Sequence, residues 1–421
     1  MKLDRDKLRR EIHALYAREH AALGVEGTMR LLEAGRQWDL APTLNAGGVL
    51  VFPHAGVVDC GHQIAAVVHA CLDCGVDRVL VISVLHALTD ELEAARVRVA
   101  HGSDPEAEPL RGIQGLGLPG RQDWKRDHVL TSFRYLWRAE TARRGIQGPV
   151  IIERYPYLVG GKPHTLPGID DLEELARDAV VVSTADPFHH GIGYGDPPEA
   201  SLYPEQGGLA LARQRIEEGI ALLAKPDYWG YNQHCVEAKS DARDAGQVFR
   251  YLCGPMDGQI LDLVPSDAAE LYHAPPPTWV AAALIEWQPN RGAGGLMDIE
   301  TSRLSLREFV EGDWPALLAY QSDPRYLRFY VMTERNEEDV RAFVARFVAW
   351  QAVEPRVKFQ LAVTLRDGGR LIGNCGIRLA EAGARTGELG YEISPEFWSL
   401  SLIHISEPTR HDSGSRMPSS A

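Results

Sequence analysis

The sequence predicts an α/β protein with a largely parallel sheet, followed by the first part of an α+β domain. In the first 290 residues, apolar runs rich in valine and isoleucine alternate with helical stretches, as in a buried parallel sheet. A glycine-rich stretch, QPNRGAGGLMD, follows Trp287 and is typical of a linker. A second pattern of strands and helices begins at Ile299 and ends near Trp398.

These observations divide the chain into four segments. The expected boundaries are 1–290 for the α/β domain, 291–297 for the linker, 298–399 for the α+β segment and 400–421 for a tail. At the start of the chain, residues 4–36 are charged, with apolar residues at helical spacing, and predict one or two helices. The next predicted elements are a strand and turn in 47–56, a helix over 62–74, and strands in 77–84, 149–160 and 178–186.

Composition excludes several classes of protein. The 421-residue chain has 44 Lys and Arg against 58 Asp and Glu, a formal net charge of −14, which argues against a nucleic-acid partner. No secretory signal opens the sequence, and no apolar run approaches the roughly 20 residues of a membrane span. We therefore expect a cytoplasmic protein without a membrane partner, whose six cysteines are reduced thiols.

Polar side chains follow the predicted strands of the first domain. Because ligands gather at the carboxyl ends of parallel strands, these side chains are candidates for a metal site. Imidazole and thiolate donors suit iron, copper or zinc better than magnesium. Cys71 and Cys74 lie in an apolar helical run and are expected to pack in the core, and the Asp127–His128 pair is expected to support the site or cap a helix. The candidates are His54, His86, Asp186, His189, His190 and Cys235.

The same residues carry a resemblance to the MEMO family, which shares a fold with class III extradiol dioxygenases. The resemblance runs through Pro53-His54-Ala55-Gly56, Cys60-Gly61, the strand ending at His86, Asp127-His128, 158–160, 183–189 and Cys235, and spans nearly all of residues 40–290. It implies a redox domain that binds iron or copper through His54, His86 and Cys235, with Asp186 and His189 as supporting or catalytic residues. The resemblance does not identify the substrate, which can be a small molecule or a protein. The alternative is a domain without this chemistry that acts as a binding module.

Residues 298–399 predict a strand, two helices and three further strands. The strands lie in 301–309, 359–364, 370–378 and 387–393, and the helices begin at Asp313, a candidate cap, and at Glu337. The order, with the segments RLIGNCGIR and GELGYEISPEFW, resembles the front of a GNAT N-acetyltransferase domain. Glu388 or Glu392, of which we favour Glu388, is the candidate base that deprotonates the amine.

The GNAT resemblance implies acetyl-CoA as the cofactor of the intact domain. In this family a glycine-rich loop and the following helix N-terminus bind the pyrophosphate, and no such loop follows Trp398. We therefore expect a truncated domain that neither binds acetyl-CoA nor transfers acetyl groups. Residues 400–410 resemble the translation of a sequencing adapter, and 415–421 its next constant stretch. A natural Ser/Pro-rich tail is the alternative. Whether the two domains are a natural fusion stays open.

Overall fold

A computed structural model describes most of the chain. The described residues are 5–87, 89–290, 298–301, 303–328, 334–351, 353, 356–366, 368–380 and 386–398. The chain divides into two compact units, Met1–Asn290 and Arg291–Ala421. The linker expected at 291–297 and the tail expected at 400–421 lie outside the described residues. No described helix is both long enough and apolar enough to cross a membrane.

The first unit contains nine α-helices and eight strands within the described residues. The helices are α1 (Arg5–Gly35), α2 (Ala41–Asn45), α3 (Val57–Asp73), α4 (Asp90–Ala100), α5 (Thr131–Arg144), α6 (Ile169–Arg177), α7 (Gly208–Ala224), α8 (Tyr228–Glu237) and α9 (Arg243–Cys253). The strands are β1 (Val49–Phe52), β2 (Arg78–Ile82), β3 (Gly112–Gly115), β4 (Val150–Tyr157), β5 (Val180–Thr184), β6 (Phe188–Gly191), β7 (Met256–Asp267) and β8 (Thr278–Pro289).

The eight strands form one mixed sheet with a parallel centre. The order is β3-β4-β2-β5-β1-β8-β6, and β7 pairs along the other side of β8. The pairs β4–β2, β2–β5 and β5–β1 are parallel, which confirms the predicted parallel sheet at its centre. The flanking strands β3, β6, β7 and β8 pair antiparallel and were not predicted.

Helices cover both faces of the parallel centre. Every residue of β1 and β5 is buried, and a strand is buried along its whole length only when both faces of its sheet are covered. Helices α1, α3 and α5 pack on one another, and α7, α8 and α9 form a second group. The N-terminal segment, predicted as one or two helices, spans α1, in which two helical stretches meet at a kink at Gly24, where φ is 56°. The helix predicted over 62–74 begins earlier, at Val57.

The second unit is an antiparallel sheet with three helices among its described residues. The strands are β9 (Asp298–Glu300), β10 (Leu304–Glu308), β11 (Lys358–Leu365), β12 (Leu371–Leu379) and β13 (Gly387–Ile393), in the order β13-β12-β11-β10-β9. The helices are α10 (Trp314–Gln321), α11 (Pro324–Leu327) and α12 (Glu337–Gln351). The predicted strand, two helices and three further strands correspond to β10, α10, α12, β11, β12 and β13, and the short elements β9 and α11 were not predicted.

One helix start differs from the prediction. A 3₁₀ turn, Glu311–Asp313, precedes α10, and the Asp313 side chain accepts no hydrogen bond from the first turn of that helix. Its Oδ2 accepts instead from the backbone N–H of Val310 at 2.9 Å and from Arg307 at 2.8 Å. These contacts direct the Asp313 carboxylate back toward the strand that enters the turn.

Candidate metal centre

Three neighbouring parallel strands bring predicted site residues to one edge of the sheet. His54 follows β1, Asp186 follows β5 and His86 follows β2, and these strands are adjacent in the order β2-β5-β1. Strands this apolar are held in the core, so the first polar residues beyond them lie where the sheet meets the loops. The sheet therefore places two imidazoles and a carboxylate at the same edge.

His54 is held from several sides. The residue is 3% exposed, its backbone N–H donates to Asp186 Oδ1 at 3.0 Å, and its Nδ1 lies 3.2 Å from the Thr184 hydroxyl. The Tyr16 hydroxyl of α1 donates to the backbone carbonyl of His54. These contacts leave Nε2 facing two carboxylates, with Asp241 Oδ2 at 3.0 Å and Asp186 Oδ2 at 3.6 Å.

His86 is oriented by Asp127. The carboxylate of Asp127 accepts from the His86 backbone N–H at 2.8 Å and lies 2.9 Å from Nδ1. A proton on Nδ1 satisfies this contact and leaves the lone pair on Nε2, which lies 3.7 Å from Asp241 Oδ2. Asp127 thus contacts both the backbone and the ring of His86, and the ring contact is one that a metal-binding histidine typically makes with its second nitrogen.

Asp241 lies between the two histidines, and sequence reasoning missed it. Asp241 lies in the segment between α8 and α9, so it does not follow a strand and the sequence pattern did not mark it as a site residue. Its Oδ1 accepts from the Asp186 backbone N–H at 2.8 Å, which directs Oδ2 toward the imidazoles. His128, which the sequence analysis named with Asp127, stacks its ring on that of His86 with centroids 4.6 Å apart.

The buried carboxylates hold protons on two of the histidines. Burial disfavours the charged form of His86, but Asp127 and Asp241 outweigh it and raise its pKa to about 10. Burial is likewise overcome at His54, where Asp186 and Asp241 raise the pKa. For Asp241, burial is outweighed by the two imidazolium neighbours, which lower its pKa. The carboxylates and the protonated imidazoles therefore stabilise one another, and metal binding at this point would have to displace protons from the histidines.

The donor atoms fit a transition metal. Among the described residues, His54, His86 and His128 form one group whose ligand atoms lie within 4.8 Å of one another, and His54, Asp186 and Asp241 form another. His128 Nδ1 and His189 Nδ1 are buried and make no hydrogen bond in the described structure. Buried polar atoms are rarely left unpaired, and a group bound at this point would supply the missing partner. Imidazoles with a carboxylate suit iron, copper or zinc.

Cys235 stands apart from both groups. Its sulfur is buried in α8 and hydrogen-bonded to Tyr231 and Ser240, and burial raises the pKa of the thiol to about 12. A thiol ligates a metal as the thiolate, and this environment favours the protonated form. Cys235 belongs to neither of the two groups among the described residues, whereas Asp241 belongs to the group that contains His54 and Asp186.

Two cavities meet at the cluster. One, of about 360 Å³, lies under α1, whose Ile12 and Tyr16 line it together with His54. The other, of about 410 Å³, is bounded by Val97 of α4 and Val236 of α8. His86, His189 and Asp241 line both, so a molecule in either cavity can reach the cluster. His190, also a candidate, instead accepts a hydrogen bond from the Leu202 backbone N–H at 2.9 Å.

In the second unit, the two candidate bases differ in their surroundings. Glu392 of β13 accepts hydrogen bonds from Tyr320 at 2.7 Å and Gln321 at 2.6 Å, and also from Tyr326 and Asn374. Both carboxylate oxygens of Glu392 therefore already accept hydrogen bonds. Glu388, four residues earlier on the same strand, is exposed.

Comparisons with known proteins concern this second unit. Residues 303–404 match the acetyltransferase (GNAT) domain family. Two Bacillus subtilis (strain 168) proteins are similar over 101 residues, 24% of this chain: "Uncharacterized N-acetyltransferase YoaA", 30% identical over 56% of its length, and "Uncharacterized N-acetyltransferase YnaD", 33% identical over 55%. The chain thus spans about half the length of these relatives. A crystal structure of a GNAT-family acetyltransferase from Bacillus anthracis is 25% identical, with a TM-score of 0.22, over 26% of this chain and 61% of that one.

The comparisons support a GNAT acetyltransferase domain at the C-terminal side of the chain, as the sequence predicts. The matched range ends at residue 404, five residues beyond the boundary expected at 399. A domain of this family implies the use of acetyl-CoA.

Proposed function

We propose that residues 1–290 form a metal-dependent redox domain that holds one iron or copper ion through His54, His86 and Asp241. The observation that carries the proposal is the position of Asp241, whose Oδ2 lies 3.0 Å from His54 Nε2 and 3.7 Å from His86 Nε2. Two histidines and one carboxylate with open positions are typical of non-haem iron(II) sites. The resemblance to the MEMO family supports the same chemistry.

The residues around the cluster have separable roles. When bound, iron or copper with an open coordination position supplies activation of dioxygen or water. Asp127 orients His86 through Nδ1 and so presents Nε2 to the cluster. Burial raises the pKa of Asp186 and lowers that of His189. A carboxylic acid that protonates easily and a neutral imidazole that can accept a proton are suited to move protons to and from a substrate.

The test is metal binding by the full chain. Fe(II) is titrated under anaerobic conditions into wild type, Asp241→Ala and Asp257→Asn, a control at an exposed aspartate of β7. We expect about one ion per chain in wild type and in the control, and a loss of affinity of at least about tenfold in Asp241→Ala. The same titration is repeated with copper. If wild type binds neither metal, the first domain is a binding module without this chemistry, and the proposal fails.

A second function belongs to the second unit, which we propose is the front of an N-acetyltransferase that uses acetyl-CoA. The match of residues 303–404 to the GNAT domain supports it. Within this proposal Glu388 is the base that takes a proton from the amine, because the oxygens of Glu392 are engaged by four donors. The cluster around Glu392 instead fixes β13 against α10 and α11.

The protein used in the test is the one encoded by this gene in a clean genomic assembly. Transfer of labelled acetyl groups from acetyl-CoA to a panel of peptide N-termini and small amines measures the activity. Glu388→Gln is expected to lower turnover by about a hundredfold or more, as for loss of a general base. Glu396→Gln, at an exposed carboxylate beyond β13, is the matched control. Normal turnover in Glu388→Gln contradicts the assignment of this residue.

A further inference from the structure

Arg243 is a buried cation without a charged partner in the described structure. It is the first residue of α9, is 8% exposed, and its guanidinium makes no hydrogen bond or ion pair with any described residue. Arginine stays charged inside proteins, and a buried charge is costly unless it is paired. The side chain lines the 410 Å³ cavity that reaches the metal cluster. An anion bound in this cavity would supply the missing partner.

The other charged groups of this cavity are already engaged. Arg96 pairs with Glu93 at 3.4 Å, and Lys239 pairs with Asp196 outside the cavity. Asp244 accepts from the Val159 backbone N–H at 2.8 Å. Asp241 faces the two histidines of the cluster. Arg243 is thus the cation of this cavity that the described residues leave available to a ligand.

The start of α9 adds to the attraction for an anion. The first backbone N–H groups of a helix have no acceptor within it, and they carry the positive end of the helix dipole. Ser240, Asp241, Arg243 and Asp244 all line the cavity, so the first turn of α9 borders it. The backbone N–H groups of this turn and the Arg243 guanidinium beside it offer donors to an anion, next to the carboxylate of Asp244.

The rest of the cavity suits an apolar body with one negative charge. Val84, Leu85, Val97, Ala100 and Val236 contribute apolar walls, and Tyr194 and Tyr272 add an aromatic pair with ring centroids 4.7 Å apart. Three carboxylates, those of Glu93, Asp241 and Asp244, also line it. They repel a dianion more strongly than a monoanion, because the repulsion scales with the charge of the ligand. A single carboxylate on an apolar molecule therefore fits better than a phosphate.

We propose that Arg243 and the first turn of α9 bind the carboxylate of an apolar monocarboxylic acid and direct its body toward His86 and Asp241. As an assignment of substrate class, this rests on the metal-dependent function proposed above. As an anion site, it is independent of the metal, because the guanidinium and the helix start belong to the protein alone. The two claims can therefore fail separately.

The test compares benzoate with its uncharged analogue benzamide by calorimetric titration of the full chain, stripped of metal with a chelator. Wild type is expected to bind benzoate at least about tenfold more tightly than benzamide, since a charge-assisted bidentate pair forms only with the acid. Arg243→Gln is expected to reduce benzoate affinity to that of benzamide. Arg243→Lys keeps the charge and is expected to retain part of the preference. Arg213→Gln, at an exposed arginine of α7, is the matched control and is expected to keep the wild-type preference for benzoate over benzamide.

Several results would overturn the proposal. If wild type binds benzoate and benzamide with equal affinity, the proposal is wrong, and this result needs no variant, so it counts even if Arg243→Gln fails to fold. The proposal is also wrong if a folded Arg243→Gln protein still binds benzoate as wild type does. Tighter binding of phenyl phosphate than of benzoate would overturn the single-charge assignment. Fe(II) titration of Arg243→Gln separates the two proposals, because the metal site is expected to remain in this variant while benzoate binding is lost.

Discussion

At the scale of single residues, Cys235 and Asp241 offer different third ligands for the same two histidines. The thiol is buried against Tyr231 and Ser240, whereas the Asp241 carboxylate faces both imidazoles. Cys235→Ser is therefore expected to leave the affinity for Fe(II) within about twofold of wild type, because the thiol is hydrogen-bonded to Tyr231 and Ser240 and belongs to neither candidate ligand group of the described residues. Anaerobic titration checks this, and a loss of tenfold or more in a folded Cys235→Ser protein would restore the thiol to the ligand set.

Asp127 is a positioning residue for His86, with a testable effect. Its Oδ1 lies 2.9 Å from His86 Nδ1, and its Oδ2 accepts a hydrogen bond from the His86 backbone N–H at 2.8 Å. Asp127→Asn is expected to weaken metal binding by about 10–100-fold, as loss of the partner of a ligating histidine typically does. The ligand field of bound Cu(II), seen by electron paramagnetic resonance, should change with the ring orientation. An unchanged spectrum and unchanged affinity would mean that His86 does not bind the metal.

Sequence reasoning found the site residues that follow strands and missed the one that does not. His54, His86 and Asp186 follow buried strands, where an apolar run ending in a polar residue marks the sheet edge. Asp241 lies between two helices, and its position depends on how α8 and α9 pack against the sheet. A contact of this kind depends on tertiary packing and leaves no local signal.

At the scale of elements, the buried carboxylate of Glu140 joins three helices of the first unit. Glu140 of α5 is fully buried and accepts from Arg143 and Arg144 of the same helix and from Arg36 at the end of α1, at 2.9 Å. His69 of α3 lies 3.3 Å from it. Glu140→Gln is expected to lower the free energy of unfolding by up to about 3 kcal/mol near pH 7. Urea denaturation checks this, with Glu217→Gln on the surface of α7 as the control.

The same carboxylate predicts a pH dependence. Burial alone would raise its pKa, but the arginines outweigh burial and lower it from 4.5 to about 2. A carboxylate with a lowered pKa stabilises the fold fully above its unfolded pKa, and this contribution is lost as the pH falls through the folded value. The difference in stability between wild type and Glu140→Gln should therefore shrink between about pH 5 and pH 2. A difference that stays constant over this range would contradict the role given to Glu140.

Helices and strands could be predicted from the sequence where their apolar residues lie on one face of the element. The helix α12 and the strand β13 have the predicted bounds, because apolar residues recur at helical spacing in one and turn residues precede the other. The long strand β8 was missed because it is buried at ten successive residues. A continuous apolar run does not distinguish a strand from a buried helix. Its partner β7 has a register shift between Ile260 and Asp262, which interrupts the alternation.

At the scale of the whole molecule, the chain divides into two compact units. The alternation of strands and helices predicted an α/β class for the first, and the order of elements predicted the GNAT-like second. The antiparallel flanks of the first sheet depend on pairing between distant segments, so local patterns did not reveal them. The linker at 291–297 and the tail at 400–421 stay predictions.

The central claim is that the first unit binds a metal through two histidines and Asp241. X-ray absorption spectroscopy of the metal-loaded full chain tests it most directly, because sulfur and nitrogen or oxygen scatterers differ in distance and strength. The account predicts nitrogen and oxygen donors at roughly 2.0–2.2 Å, including imidazole, and no sulfur in either wild type or Asp257→Asn. A sulfur scatterer at roughly 2.3 Å, or a chain that takes up no metal, would contradict it.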